Sequence, residues 1–199
     1  INIFTGKDRL TLMSGLVLAI DGPSGSGKSS TAKAIALRAN WSYLDTGALY
    51  RAVTYLALDK KVEAEEEVIN LLTSHEITFD TNPDEPKIYI DGKDISEEIR
   101  FQRINDLVSQ ISSMVGVRKI LLDMQRKYIA EAPIGIVVEG RDIGTVVAPG
   151  AQLNIPLISL DDNALSADDD GTKSQQVSGV LSASKDPFIN AAAYTFGTY

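Results

Sequence analysis

A glycine-rich loop between a short apolar run and a helical pattern constrains the fold of this chain most strongly. The apolar run covers residues 16–20 and ends in Asp21, which is typical of a strand buried on both faces. The loop reads GPSGSGKSS over residues 22–30 and matches G-x-x-x-x-G-K-[ST]. Small and apolar residues then recur at helical spacing up to residue 39. Strand, loop and helix in this order make half of a parallel βαβ unit, so the pattern predicts an α/β fold.

The same loop has the chemistry of a phosphate-binding site. Glycines let the backbone wrap closely around a phosphate, and the amide N–H groups at the start of a helix supply positive potential. Lys28 adds a cation for the β- and γ-phosphates of a nucleotide, and the hydroxyl of Ser29 is a ligand for Mg2+. A flexible Gly/Ser turn is the alternative, but the flanking strand and helix favour nucleotide binding. The predicted nucleotide-binding residues are Gly22, Pro23, Ser24, Gly25, Ser26, Gly27, Lys28, Ser29 and Ser30.

The rest of the first 150 residues continues the α/β pattern, with one interruption. A strand over 41–44 and a helix over 46–58, capped by Asp45 or Thr46, follow the first helix. An acidic helix and two short strands, 76–80 and 87–90, predict a small antiparallel sheet in a lobe inserted at about 62–102. Helical spacing then runs over 103–131 with a break at Gly116. A buried strand is predicted at 134–139 and a further strand at 151–160.

Two polar motifs follow predicted strands, and both remain open to a second interpretation. Asp45-Thr46-Gly47, with Arg51 one turn later, could hold a second phosphate or could be an ordinary helix-capping turn. Arg141-Asp142 could contact a ligand or form a surface ion pair. Glu139 could assist the Mg2+ site through water or be a capping or solvated carboxylate.

The composition excludes several classes of function. The chain has 27 acidic and 19 basic side chains, net −8, so we expect no general attraction to nucleic acid or to an anionic membrane. It has no cysteine and one histidine, which excludes disulfides, cysteine nucleophiles and most zinc sites. The apolar run at 16–20 is far shorter than the roughly 20 residues needed to span a bilayer. Residues 1–12 lack the pattern of a signal peptide, so a cytoplasmic location is expected.

Three motifs in order give the chain a family resemblance. They are IDGPSGSGKSS at 20–30, YLDTGALYRAV at 43–53 and VVEGRDIGTVV at 137–147, and together they resemble the bacterial cytidylate (CMP/dCMP) kinases over about residues 13–150. The resemblance implies a P-loop nucleoside monophosphate kinase-like fold: α/β, with a parallel sheet flanked by helices and a small inserted monophosphate-binding lobe. It implies transfer of the γ-phosphate of ATP to CMP or dCMP with Mg2+. The expected partners are therefore these small-molecule nucleotides, and we expect the protein to be a monomer.

The resemblance also implies roles for individual residues. Thr46, Arg51 and Arg141 would hold the acceptor phosphate, and Ser109, Arg118 and Asp142 would face the cytosine edge. The carboxylate of Asp142 can accept from the exocyclic amine that uracil lacks, and Arg118 can donate to the ring carbonyl and nitrogen. The expected catalytic residues are Lys28, Arg51 and Arg141, and the expected substrate-binding residues are Asp45, Thr46, Arg51, Ser109, Arg118, Arg141 and Asp142.

Both ends of the chain depart from the family. We expect residues 13–160 to form the P-loop kinase core, residues 1–12 to be an extension of unknown origin and residues 161–199 to be a tail outside the family, with no match to the family from residue 151 onward. The family carries an arginine-rich lid after this core, whereas residues 142–199 contain no arginine and only two lysines, Lys173 and Lys185. The alternative function is therefore a nucleotide-binding module with impaired turnover, because an arginine at a phosphoryl-transfer transition state is worth about 10³ to 10⁵ in rate.

Overall fold

The fold is seen in a computed structural model that describes residues 15–157, so the expectations for residues 1–12 and 161–199 lie outside the described residues. The strands are β1 (Leu16–Asp21), β2 (Ser42–Asp45), β3 (Ile77–Asp80), β4 (Lys87–Ile90), β5 (Lys93–Asp94), β6 (Gly135–Gly140) and β7 (Leu153–Pro156). The helices are α1 (Lys28–Ala39), α2 (Thr46–Lys60), α3 (Glu65–Ser74), α4 (Gln102–Ser113) and α5 (Val115–Glu131). A 3₁₀ turn covers Glu98–Arg100 and a single π-helical turn covers Ile143–Val147.

Four parallel strands form the main sheet in the order β2-β6-β1-β7. Asp21, at the end of β1, is in register with Gly140 of β6, and Glu139 of β6 is in register with Asp45 of β2. The carboxyl ends of the three strands therefore meet at one edge. The loops that follow them emerge side by side, which is where ligands bind in open α/β sheets.

Helices cover both faces of this sheet. Successive side chains of β1 alternate, so Leu18 and Ile20 pack on α1 while Ala19 joins the core on the α2 side. Helix α1 lies close to the strands because the residues that face them, Ala32 and Ala36, are small and fully buried. The predicted fold class, a parallel sheet flanked by helices, is confirmed.

The inserted antiparallel sheet has the order β3-β4-β5. Its two predicted strands are present, and the third, two-residue strand was not predicted. Asp91 and Gly92, at positive φ of 50° and 78°, turn the chain back so that β5 pairs with β4. Ile88 and Ile90 point into the same core cluster as α2, so the insert packs directly on the α/β core.

The predicted helix break at Gly116 is wrong. The break falls at Met114, which is extended (φ −69°, ψ 116°), and Gly116 lies in the first turn of α5. A glycine at position 116 lets α3 approach closely, because a Cβ there would lie 2.6 Å from Ile69 Cδ1. The N–H of Gly116 donates to Glu65 Oε1. The other bounds shift by a few residues, and the predicted strand at 151–160 is β7, within its described part. Among residues 15–157, no helix combines the length and apolar character needed to cross a membrane.

Candidate functional site

An open cleft of about 850 Å³ lies at the carboxyl edge of the main sheet. Its walls come from the glycine-rich loop, the start of α2, the helices α4 and α5, and the loop after β6. The sequence-predicted residues that line it are Ser24, Gly25, Gly27, Lys28, Ser29, Ser30, Asp45, Thr46, Arg51, Ser109, Arg118, Arg141 and Asp142. Gly22, Pro23 and Ser26 belong to the same loop but do not line the cleft. The fold thus gathers nearly all the predicted site residues, from five segments of the chain, around one space.

The glycine-rich loop has the backbone of a phosphate cradle. Gly25 and Gly27 have φ of 81° and 79°, a left-handed conformation that a side chain would strain. Gly22 is needed for another reason, because a Cβ there would lie 2.4 Å from the carbonyl oxygen of Leu157. The ammonium of Lys28 donates to Pro23 O at 2.6 Å, so the cation lies over the loop itself. A phosphate in the cradle would meet this ammonium and the N–H groups at the start of α1.

Glu139 lies at the floor of the cleft with 2% of its surface exposed, which excludes the solvated-carboxylate interpretation. The hydroxyl of Tyr43 donates to Glu139 Oε1, and the side chain of Ser29 lies beside the same carboxylate. Burial raises the pKa of Glu139, and the charge of Asp45 raises it further, whereas Tyr43, Ser29 and Lys28 oppose the shift. A negative group that is costly to bury would be stabilised by a cation here.

The donor set beside Ser29 fits a magnesium ion. A serine hydroxyl and a carboxylate are oxygen ligands of the kind that Mg2+ prefers, and Mg2+ usually keeps several waters and phosphate oxygens. Among the described residues no group of three or more acidic or histidine side chains could hold a metal by itself. The arrangement therefore suits an ion that arrives with nucleotide phosphates, with Ser29 as a ligand and Glu139 reaching it through water.

Asp45 and Thr46 both have structural partners. Asp45 caps α2, because its Oδ1 accepts from Ala48 N at 3.0 Å, which decides between the two predicted caps. Burial raises the pKa of Asp45, and the bond from Ala48 and the charge of Arg51 oppose the rise. Thr46 donates its hydroxyl proton to Glu139 O at 2.9 Å, and only a glycine at position 140 leaves room for it. A phosphate would have to compete for that proton.

The arginines of the cleft are held lightly. Arg51 donates to Asn105 Oδ1 and to Ile99 O, the latter at 3.4 Å, which holds its guanidinium between α2 and α4. Arg118 has one long bond, 3.5 Å to Ser112 O. Arg141 and Asp142 are exposed, and among residues 15–157 the ion pairs do not include them, so the surface ion-pair interpretation is not borne out. Among residues 15–157 the ion pairs include none of the three arginines, so each guanidinium can still pair with an anion.

Sequence reasoning missed part of the cleft wall on α5. Gln125 is 1% exposed and lines the cleft, and its Oε1 has no hydrogen-bond partner. It follows Arg118 by two helical turns, and Leu122 lies between them on the same face. This i, i+4, i+7 spacing was the signal that could have found it.

Comparison with known proteins gives one family. The family model described as cytidylate kinase matches residues 18–161. The cytidylate kinase of Streptomyces griseus is 47% identical over 147 residues, 73% of this chain and 64% of that protein. That of Enterococcus faecalis is 42% identical over 149 residues, 74% of this chain and 65% of that protein. A bifunctional pantoate ligase/cytidylate kinase of Prochlorococcus marinus is 45% identical over 152 residues, 74% of this chain and 29% of that protein.

The residues matched by the family model contain the whole lining of the cleft. The chain spans just under two thirds of the length of the single-function relatives it matches. The matched residues include the glycine-rich loop, the start of α2, the helices α4 and α5 and the loop after β6, which together build the cleft. On this match, the chain belongs to the cytidylate kinase family.

Proposed function

We propose that the protein carrying this chain transfers the γ-phosphate of ATP to CMP or dCMP, giving ADP and CDP or dCDP. The observation that supports this is that one cleft is lined both by the phosphate cradle and by Ser109, Arg118 and Asp142. A transfer between two nucleotides needs both to lie in one space with their phosphates adjacent. Small-molecule nucleotides are thus the proposed partners, and a cytoplasmic location and a monomeric state remain predictions.

ATP would occupy the end of the cleft formed by the glycine-rich loop. The N–H groups of the loop and the ammonium of Lys28 would contact its β- and γ-phosphates. Lys28 would exchange its bond to Pro23 O for phosphate oxygens, which are stronger partners for a cation. Ser29 and, through water, Glu139 would hold Mg2+, which supplies charge neutralisation on the phosphates.

The acceptor phosphate would lie between Arg51 and Arg141. Phosphoryl transfer needs little covalent chemistry from the protein, so these residues act by positioning and by neutralising charge on the moving group. Arg51 is already oriented by Asn105 and Ile99 O, and the charge of Asp45 lies close to it. The guanidinium of Arg51 can therefore turn toward a phosphate, because the Asp45 carboxylate keeps its hydrogen bond from Ala48 N.

Cytosine would be read by Asp142, Arg118 and Ser109. The Asp142 carboxylate only accepts hydrogen bonds, so it suits the amine at position 4 of cytosine and not the carbonyl of uracil. Each well-formed base contact of this kind is worth about 1–3 kcal/mol of discrimination, by analogy with base recognition in nucleic acids. We therefore propose a preference for CMP and dCMP over UMP and AMP.

A titration and an assay together test the proposal. Thermal unfolding of the chain is followed with ATP, CMP, dCMP, UMP and AMP, where a ligand at 100 times its dissociation constant stabilises by about 2.7 kcal/mol. We expect ATP, CMP and dCMP to raise the midpoint and UMP and AMP to do so less at equal concentration. Stabilisation by both ATP and CMP without formation of ADP and CDP favours the impaired module. Equal stabilisation by CMP and UMP contradicts the proposal.

A further inference from the structure

The segment that carries Asp142 has an unusual backbone. Asp142 has φ 58° and ψ 26°, a left-handed conformation that is uncommon for a residue with a side chain. One π-helical turn follows, in which Val147 N donates to Asp142 O at 3.2 Å and Ala148 N donates to Ile143 O at 2.7 Å. Such conformations cluster at functional sites and persist where the surroundings hold them.

The start of this turn is held by Asp21. Its Oδ1 accepts from Ile143 N at 2.5 Å and its Oδ2 accepts from Gly144 N at 2.9 Å. These N–H groups belong to the first residues of the turn, where a helix leaves donors unpaired and favours a negative charge. Asp21 is the last residue of β1 and directly precedes Gly22, so one residue joins the phosphate cradle to the Asp142 segment.

The end of the turn is held by Arg126. Its Nη2 donates to Val146 O at 2.9 Å and its Nε donates to Val147 O at 3.2 Å. Carbonyl oxygens at the end of a helical turn favour a positive charge, so the two clamps match the polarity of the turn. Arg126 lies on α5, eight residues after Arg118, so the helix that would supply one base contact also holds the segment that supplies the other.

We propose that Asp21 and Arg126 are positioning residues that hold Asp142 in its left-handed conformation and thereby set the preference for cytosine. This rests on the proposed function, in which Asp142 accepts from the cytosine amine. With either clamp released, the backbone at Asp142 relaxes toward the right-handed region that suits it better, and the carboxylate turns away from the base. Removing the Arg126 side chain therefore weakens discrimination between CMP and UMP and leaves ATP binding at the glycine-rich loop unchanged.

The first experiment compares Arg126→Ala with a neighbouring control. Lys127→Ala removes an exposed cation one residue away, whose carboxylate partner Glu131 lies 4.0 Å off. We expect Arg126→Ala to lower the ratio of CMP to UMP affinity about tenfold, as for loss of hydrogen bonds from a charged group, with ATP affinity unchanged. Lys127→Ala keeps the ratio, and Arg126→Lys, which can donate to one carbonyl, recovers part of it. An unchanged ratio in Arg126→Ala overturns the inference.

A double-mutant cycle separates positioning from a general loss of structure. Because Arg126 acts through Asp142, Arg126→Ala added to Asp142→Ala causes no further loss of the CMP preference. Additive losses in the cycle overturn the inference, since they place the effect of Arg126 elsewhere.

Hydrogen exchange tests the clamp with no nucleotide present. Arg126→Ala should speed exchange of the amides of Val146, Val147 and Ala148, which are bonded within the turn. Unchanged exchange overturns the inference whatever the ligand results. A wild-type chain that shows protected amides but binds CMP and UMP equally instead overturns the proposed function, and the inference falls with it.

Discussion

Two loops leave the same edge of the main sheet, and they owe their shapes to different causes. The loop after β1 turns on Gly25 and Gly27, whose positive φ angles cost little. The loop after β6 turns on Asp142, whose positive φ is held by distant side chains, Asp21 and Arg126. The first shape is specified within nine residues of sequence, and the second depends on strand β1 and helix α5. A sequence motif can therefore predict the backbone shape of the first loop. For the second loop it predicts only where along the chain the loop lies.

The largest effect is expected from the cation of the first loop. Lys28→Ala should lower phosphoryl transfer by about 10² to 10³, the usual cost of removing one group that stabilises developing charge, and should weaken ATP binding. Lys60→Ala, an exposed cation near the end of α2, is the matched control. Steady-state assays and ATP titration measure both. Unaltered ATP affinity in Lys28→Ala, with an unchanged circular dichroism spectrum, would remove the first loop from nucleotide binding.

The second loop is tested by its carboxylate. Asp142→Ala should reduce the preference for CMP over UMP by about tenfold or more, because a contact of about 1–3 kcal/mol is lost. ATP affinity should remain as in the wild type, which separates the two loops. Titration calorimetry with the three nucleotides measures the split. A variant that loses ATP and CMP affinity in equal proportion would show that the loops do not act separately.

A pair of backbone substitutions sharpens the contrast between local and distant control. Gly27→Ala puts a side chain at φ 79° and should destabilise the chain by about 1–2 kcal/mol. Asp142→Gly relieves the same kind of strain and should leave unfolding free energy within about 1 kcal/mol of the wild type, because the gain is offset by unfolded-state entropy. Urea unfolding measures both. Equal destabilisation by the two changes would contradict the assignment of strain to Asp142.

The smallest effect concerns the buried acid between the loops. Since the pKa of Glu139 is raised in the folded state, the folded chain holds the proton to higher pH, and stability falls as pH rises above the ordinary value of 4.5. Glu139→Gln should flatten this fall, and Glu131→Gln, an exposed control on α5, should not. Thermal unfolding across that pH range checks the direction. A steeper fall in Glu139→Gln would contradict a raised pKa of Glu139 in the folded state.

Sequence reasoning succeeded where local rules decide the structure. The strand, glycine-rich loop and helix at 16–39 have their predicted order, because apolar pattern and glycine spacing act within one stretch of chain. The cap of α2 was narrowed to Asp45 or Thr46 because capping also depends on neighbouring residues, and the structure shows Asp45. The cleft residues from α4 and the β6 loop came from the family resemblance, since nothing in their own spacing brings Ser109 near Asp142.

It failed where a distant contact decides. The break was predicted at Gly116 but falls at Met114, and Gly116 lies in α5, where Glu65 and Ile69 of α3 approach it closely. Asp21 was read as a strand end, and its two bonds to the second loop have no signal in sequence. Arg126 looks like any exposed helix residue until the β6 loop is seen against it. Contacts between side chains that are distant in sequence can be identified only from the three-dimensional structure.

In the proposed complex one cleft receives both nucleotides, one at each loop. A crystal structure of the chain with CMP and a non-hydrolysable ATP analogue would show where each nucleotide binds. We expect the analogue's phosphates to lie against the N–H groups of residues 24–29 and Lys28. The CMP phosphate should lie at Arg51 and Arg141, and the cytosine amine at Asp142. A CMP base bound away from Ser109, Arg118 and Asp142, or an analogue bound outside the glycine-rich loop, would contradict it.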